Sequence, residues 1–148
     1  MPADINHINQ AKHNFQFLES FYNTFNYNDW SITVAFYAAV HIVEMAIFRQ
    51  KNLLYLGNKI VIQDSDRLQS EITKNRLPLP SNCPSAIPIH TARNIIVAEN
   101  FDAIWGWFDL LYKNSKAARY RQYSWDKFKT QLLVETPTKG IIDRKSVV

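Results

Sequence analysis

The sequence predicts an all-α protein, an up-and-down bundle of about five helices that forms one domain over residues 1–148. Apolar residues recur every three or four positions through most of the chain, which is the period of one helix face. The stretch from Asp29 to Gln50 is apolar nearly all round, so we expect it to form the central, buried helix. Four prolines fall together after it, and they predict a long irregular excursion between the second and third helices.

The first helix is predicted from about Asp4 to Phe25. Its apolar seam has alternating three- and four-residue steps and consists of Ile8, Ala11, Phe15, Leu18, Tyr22 and Phe25. His7 and His13 fall off this seam, so we expect both to face solvent. The short turn at 26–28 makes the first two helices antiparallel neighbours.

The central helix is predicted to begin at Asp29, whose carboxylate is a suitable N-cap. His41 and Glu44 interrupt the apolar run too early for a membrane span, which needs roughly 20 apolar residues. They share one stripe of the helix, which consists of Trp30, Val34, Tyr37, His41, Glu44 and Phe48. A buried carboxylate needs a partner or an aqueous cleft. The two residues therefore belong either to a structural network between helices, which we favour, or to a polar site.

Residues 51–87 form the predicted excursion. The run LLYL, then Gly57-Asn58, then KIVI is typical of a small hairpin, with continued helix or a loop as alternatives. A short helix is predicted over 66–72, capped by Asp64 or Ser65. The four prolines exclude regular structure after it. That segment is then either a lid or binding loop, or a strap over apolar surface.

Helix resumes near Pro88, and the following helix covers Phe101 to Arg119, with either a break near Asn100 or one continuous helix. The seam of the second part consists of Ile104, Trp107, Phe108, Leu111 and Ala118. Gly106 in the middle of a helix costs roughly 1 kcal/mol relative to alanine. We therefore expect a neighbouring backbone or ring to lie close to it.

The last helix is predicted to begin at a Ser124 cap. Its buried side is expected to consist of Trp125, Phe128 and Leu132. Pro137 and Gly140 should end it. The chain over 136–148 is expected to form a flexible tail.

Composition excludes several classes of protein. The single cysteine, Cys83, allows neither an intrachain disulfide nor a cysteine-based zinc site. The three glycines are too scattered for a phosphate-binding loop, and no two histidines stand four apart as metal ligands on one helix do. We therefore expect no cofactor and no metal. With no signal pattern at the N-terminus and no membrane segment, the sequence predicts a cytoplasmic protein without a membrane partner.

Positive charge is concentrated towards the end of the chain. Between residues 111 and 129 there are six lysines and arginines against Asp126 alone, in a chain of formal net charge +4. This asymmetry indicates an anionic partner, and the aromatic rings among the charges suit single-stranded nucleic acid. The candidate nucleic-acid-binding residues are Lys113, Lys116, Arg119, Tyr120, Arg121 and Tyr123. The alternative, slightly favoured, is a solvated helix face whose rings, including Trp125, are buried.

A second group of residues suggests chemistry. The candidates for a catalytic role are His41, Glu44, His90, Arg93 and Asn94. If the helices that carry them are adjacent, Glu44 and Arg93 can form an ion pair. An arginine beside a histidine can hold a phosphate and move a proton. The favoured alternative is a buried salt bridge with the histidines as core residues.

Residues in three blocks of the chain, taken in order, are similar to a known family. The blocks are Asp29-Trp30 with Phe36-Tyr37-Ala38-Ala39-Val40-His41, Glu44 and Ala46, then His90-x-x-Arg93-Asn94, then Ala118-Arg119-Tyr120. They resemble the HEPN domain superfamily of small helical bundles, from the first helix to about Tyr123. The resemblance implies a helical-bundle fold and a homodimer.

Many members of that superfamily are metal-independent ribonucleases, often toxins of toxin–antitoxin pairs with a nucleotidyltransferase partner. Their dimer interface carries an arginine followed, after four to six residues, by a histidine. None of the seven arginines of this chain has a histidine at that distance, and at Arg93 the histidine, His90, comes first. We therefore expect a HEPN-like module that binds RNA, a nucleotide or a partner protein without this nuclease activity. The alternatives are an atypical ribonuclease that uses Arg93 with His90 or His41, and a structural protein-interaction subunit.

Overall fold

The structure, a computed structural model, describes residues 3–50, 52–120 and 125–143. Within these ranges the chain forms six helices and a two-stranded antiparallel sheet. They are α1 (Ala3–Tyr22), α2 (Asn28–Arg49), β1 (Leu53–Tyr55), β2 (Asn58–Ile60), α3 (Ser65–Thr73), α4 (Ile89–Asn100), α5 (Asp102–Tyr120) and α6 (Lys127–Asp143). The protein is 71% helical, which confirms the all-α class.

The central position of α2 is confirmed, because it packs against α1, α5 and α6. Buried side chains lie on several of its faces, and Ile32, Ala35 and Val43 have no exposed surface. By length and composition α2 is the one helix of the described chain that could cross a membrane. However, 78% of its most apolar window is buried inside the fold. That degree of burial is typical of the core helix of a soluble protein.

The start of α2 differs from the predicted Asp29 cap, because the helix begins one residue earlier and Tyr27 holds the N-cap position without a side-chain hydrogen bond. The buried Asn28 side chain instead donates to the Trp125 carbonyl at 2.6 Å. This bond ties the first turn of α2 to the segment that leads into α6. A tertiary contact thus replaces the local cap, which leaves the Asp29 carboxylate outside that role.

The first helix ends at Tyr22, three residues before the predicted end. Phe25 has φ +53°, in the left-handed region, and an α-helix cannot continue through such a residue. The predicted seam is otherwise correct, since Ala11, Leu18 and Tyr22 are buried. The Tyr22 hydroxyl donates to the Glu135 carboxylate at 2.9 Å and so links α1 to α6.

The predicted hairpin is present, but its turn is displaced by one residue. Tyr55 pairs with Asn58, so the turn residues are Leu56 and Gly57 rather than Gly57 and Asn58. Both have positive φ, +50° and +79°, as a type I′ turn requires. The Glu99 carboxylate accepts the amide of Leu56 at 2.7 Å and that of Gly57 at 2.9 Å. These bonds explain how a leucine is held in a conformation that it rarely adopts.

The hairpin is attached to α4 through Asn100. Its side-chain amide accepts from the Leu54 N–H at 2.7 Å and donates to the Leu54 carbonyl at 2.8 Å. The same nitrogen also donates to the Ile96 carbonyl at 2.9 Å. A two-stranded hairpin is marginal alone, and these contacts supply the docking that it needs. The helix is interrupted at Phe101, between α4 and α5. The predicted break near Asn100 is therefore correct, and one continuous helix is not formed.

The excursion after β2 contains α3, which Asp64 caps by accepting the Arg67 amide at 2.7 Å. The proline segment that follows has no helix or strand. Leu77 and Leu79 pack on the core from it, and Ile87 is buried within the core. The Ile87 carbonyl also accepts from the Gln69 side chain at 2.8 Å. These contacts favour the strap over the lid.

Two expectations for α5 are wrong. Trp107, which is predicted on the buried seam, is exposed, whereas Phe108 and Leu111 are completely buried. Apart from its own helix, no group of the described residues lies within 4 Å of the position that a Cβ on Gly106 would occupy, so no close neighbour explains this glycine. Both differences have one cause. The side of α5 that carries Gly106 and Trp107 faces away from the other helices.

The predicted buried side of the last helix is correct at Trp125, which precedes α6 and is buried, and wrong at two other residues. Phe128 and Leu132 are 77% and 51% exposed, and Thr130, Leu133 and Val134 are buried instead. Phe128 and Leu132 face solvent because α6, which contacts α2 and α5, turns the side that carries Thr130, Leu133 and Val134 towards the core.

The bounds of α6 differ as well. Asp126 accepts the Lys129 amide at 2.7 Å at the helix start, whereas the predicted Ser124 cap lies outside the described residues. Helix continues through Pro137 and Gly140 to Asp143, so these residues do not end it. A proline removes one backbone donor, and a helix can continue beyond it with a kink. Residues 144–148 of the predicted tail lie outside the described part.

Replacing Asn100 by alanine should lower the free energy of unfolding by about 1–3 kcal/mol, because the backbone N–H and the carbonyl of Leu54 both lose a hydrogen-bond partner. Asn114→Ala is the matched control, since within the described residues its side chain donates only to the Leu110 carbonyl of its own helix. We expect a change within about 0.5 kcal/mol there. Urea denaturation of both variants measures this, and equal effects would contradict the docking role of Asn100.

Candidate functional site

The carboxylate of Glu44 lies in the core, where the residue is only 5% exposed. One oxygen accepts from the Arg93 Nε at 2.8 Å, so the predicted ion pair between α2 and α4 is confirmed. The other accepts the Ser65 amide at 3.1 Å, at the first turn of α3. Free amides and the positive end of the helix dipole stabilise an anion there. A single carboxylate therefore joins three helices.

This arrangement is that of a structural network. The Nε of Arg93 donates to Glu44, and the Arg93 side chain is only 14% exposed. Asn94, the neighbouring candidate, is half-buried on α4 and has no side-chain hydrogen bond to Glu44 or Arg93 within the described chain. Of the two interpretations of Glu44, the structural one fits the geometry better.

His41 contacts a residue that the sequence did not place near it. Its Nδ1 lies 3.0 Å from the Nδ1 of His7, and the ring centroids are 5.3 Å apart. The expectation that His7 faces solvent is wrong, because α1 packs along α2 and His7 is next to Ile8 of the seam. Burial, followed by the charge of His7, lowers the pKa of His41, while Glu44 acts to raise it. The described ranges contain no group of three or more His, Cys, Asp or Glu side chains that could hold a metal ion.

His90 lies with the basic residues of α5. Its ring stacks on Tyr112 with centroids 5.4 Å apart. Burial, then the positive charges of Lys116, Arg93 and Arg119, lower the pKa of His90. The structure therefore places this histidine in a positive field, where a neutral imidazole can donate or accept one hydrogen bond.

Arg119 has the most unusual surroundings of the basic residues. Its guanidinium carbon lies 5.5 Å from the ring centroids of Tyr37 and Tyr120 and 5.7 Å from that of Phe36. Nη1 donates weakly to Ser115 at 3.4 Å, and the buried Nε has no hydrogen-bond partner in the described part of the chain. No carboxylate pairs with it there either. Aromatic rings thus position the Arg119 cation, and part of its hydrogen-bonding capacity is unused within the described chain.

A cleft of about 270 Å³ opens beside Arg119, between the start of α2 and the end of α5. Its lining consists of Asp29, Trp30, Thr33, Ala118, Arg119 and Tyr120. Trp30 is 59% exposed, Tyr120 75%, and Tyr37 nearby 45%. Trp30 and Tyr37 belong to the stripe predicted on α2, which is the less buried side of that helix. We call the surface formed by Trp30, Tyr37, His90, Lys116, Arg119 and Tyr120 the Arg119 face.

The other predicted nucleic-acid-binding residues are distributed differently. Lys113 pairs with Asp109 at 2.7 Å and lines a separate groove on α5, whereas Lys116 is exposed on the Arg119 face. Arg121 and Tyr123 lie outside the described residues. Trp125 is buried, as the alternative interpretation expected. Trp30 and Tyr37 are not among the site residues predicted from the sequence. The spacing that places them on one stripe of α2 is the signal that could have identified them.

Comparison of the chain with protein-family models, with curated proteins and with solved structures finds no match. The functional argument therefore depends on the geometry of the Arg119 face.

Replacing Glu44 by alanine should lower the free energy of unfolding by about 3–5 kcal/mol, because it leaves Arg93 buried without its partner. Asp109→Ala breaks the exposed pair with Lys113 and should cost no more than about 1 kcal/mol. Chemical denaturation distinguishes the two. A Glu44→Ala protein as stable as the wild type would show that the network is not structural.

Stability should fall as the pH is lowered from 7.5 to 5.5. Burial lowers the pKa of His41 in the folded protein below its ordinary 6.5. The unfolded chain therefore binds more protons than the folded one as the pH falls through 6.5, so acid favours unfolding. His90 acts in the same direction. Thermal unfolding across this range should show a smaller pH dependence in His41→Gln than in the wild type. His13→Gln, at an exposed position of α1, should keep the wild-type profile, and an unchanged profile in His41→Gln would contradict the assignment.

Proposed function

We propose that this chain is a HEPN-like helical module that binds single-stranded RNA, without cleaving it, through the Arg119 face. The observation that carries the proposal is the guanidinium of Arg119, held among three aromatic rings beside an open cleft and without a carboxylate partner in the described chain. A cation kept in place and left with free donors is suited to a phosphate or to the edge of a base.

The neighbours of Arg119 support the same kind of ligand. Lys116 adds an exposed positive charge, and His90 lies in the field of both cations. Trp30, Tyr37 and Tyr120 expose ring surface on which bases can stack. A positive groove combined with exposed rings is how proteins bind single-stranded nucleic acid without reading every base.

The contacts of Arg93 and His41 give less support to a ribonuclease. Arg93 is engaged by Glu44, and the Nδ1 of His41 faces His7 at 3.0 Å. Neither Arg93 nor His41 lines the cleft beside Arg119. An acidic protein would use the same charges but would leave the exposed rings unexplained, so RNA is the preferred partner.

The remaining parts of the proposal concern assembly and location. We include an up-and-down arrangement of α1, α2, α5 and α6, which the packing of α2 against the other three supports. A homodimer and a nucleotidyltransferase partner are carried over from the family resemblance alone. A cytoplasmic location is included because RNA is present there and a lone free cysteine such as Cys83 stays reduced.

Binding of a fluorescent mixed-sequence single-stranded RNA tests the proposal. Tyr120→Ala should weaken binding by about 5- to 150-fold, the range expected for loss of one stacked base. Arg119→Ala should weaken it too and reduce the slope of log K against log salt by about 0.7, as loss of one phosphate contact does. Fluorescence anisotropy at several salt concentrations measures both quantities.

Lys113→Ala is the matched control, since it removes a lysine from the same helix outside the Arg119 face. Its affinity should stay within about twofold of the wild type, because a charge already paired with Asp109 contributes little. Equal losses in Lys113→Ala and Arg119→Ala would indicate binding by net charge alone and would contradict the proposal. Metal-free cleavage of the RNA by the wild type would contradict the proposal and favour the ribonuclease instead.

A further inference from the structure

We propose that the cleft beside Arg119 accepts one guanine base of the bound strand, and that Asp29 recognises it. This inference rests on the proposed RNA binding and adds to it a preference for one base. The cleft contains three kinds of group that a guanine would use: exposed rings, a carboxylate and a guanidinium. Contacts to the negatively charged phosphate backbone of RNA would explain binding of the strand. They would not explain why an acidic side chain, that of Asp29, lines a site for a polyanion.

The dimensions of the cleft fit one base. Its volume of about 270 Å³ is slightly below the roughly 300–1,000 Å³ of sites for whole small molecules. Trp30 lines it from α2, and Tyr120 lines it from α5. An inserted planar ring can therefore contact an aromatic side chain from either helix.

The carboxylate of Asp29 is available to a ligand. Because Asn28 anchors the start of α2 and Tyr27 is the N-cap residue, Asp29 does not cap its own helix. Within the described residues no side chain pairs with its carboxylate, and its backbone carbonyl alone is used, by Thr33 at 2.8 Å. An ionised carboxylate only accepts hydrogen bonds, so it selects ligands that present donors.

Among the four bases, guanine matches this requirement best. Its Watson–Crick edge carries two adjacent donors, the N1–H and the 2-amino group, which can reach both oxygens of one carboxylate. Adenine and cytosine each place an acceptor beside their amino group, and uracil places its single N–H between two carbonyls. For these three bases the carboxylate faces at least one acceptor, which repels it.

Arg119 suits the remaining groups of the same nucleotide. The O6 and N7 atoms of guanine are acceptors, and arginine is their commonest partner in nucleic-acid complexes. Arg119 lines the cleft, and within the described chain no carboxylate pairs with its guanidinium N–H groups. Asp29 and Arg119 thus present an acceptor and donors from two different helices, which is the pairing that guanine requires.

The test compares dissociation constants for four uridine hexamers whose third position is G, A, C or U. The G hexamer should bind about 5- to 150-fold more tightly than the others, the range for one bidentate base contact. An inosine hexamer, which lacks the 2-amino donor, should lie between G and A. In Asp29→Asn the preference for G should fall below about twofold, with the affinity for the U hexamer retained or increased.

Asp102→Asn is the matched control, because Asp102 also lies in the first turn of its helix but lines the separate groove on α5. It should keep the wild-type preference. Equal binding of all hexamers by the wild type, or an unchanged preference in Asp29→Asn, would overturn the guanine site while leaving RNA binding in place. No binding of any hexamer would overturn both.

Discussion

The structure depends on a carboxylate in the interior of its most apolar helix. An ionised group there is tolerated only when it is paired, and Glu44 meets this need with Arg93 of α4 and the first amide of α3. The position of these helices relative to α2 is thereby constrained by a charge as well as by packing. Because the chain runs from α4 almost directly into α5, the constraint extends to the helix that carries Arg119.

The two sides of α2 have different roles. Residues such as Ile32 and Val43 form the centre of the core, whereas Trp30 and Tyr37 remain partly exposed on the opposite stripe. Arg119 packs over Tyr37 and Phe36, so one helix supplies both the interior and one wall of the cleft. The proposed site is therefore supported by the most buried element of the protein, which limits how far its rings can move.

Features that follow from local period or from the cost of an unpaired charge could be predicted from the sequence. The buried central helix, the hairpin and the pairing of Glu44 with Arg93 are of this kind. Features that depend on which neighbour covers which face could not. His7, Trp107 and Phe128 each lie on a helix whose existence was predicted, but their exposure depends on how that helix is rotated against the others. The cleft beside Arg119 was missed for the same reason, since Trp30 and Arg119 are far apart in the chain.

The side chain of Asn100 also has a consequence for the behaviour of the protein in a crowded solution. A short hairpin presents free N–H and C=O groups along its outer strand, and such an edge can recruit strands from other chains. Asn100 occupies both groups of Leu54 on β1, so it takes the place that an incoming strand would need. An amide side chain from α4 thus protects this edge against aggregation through strand addition.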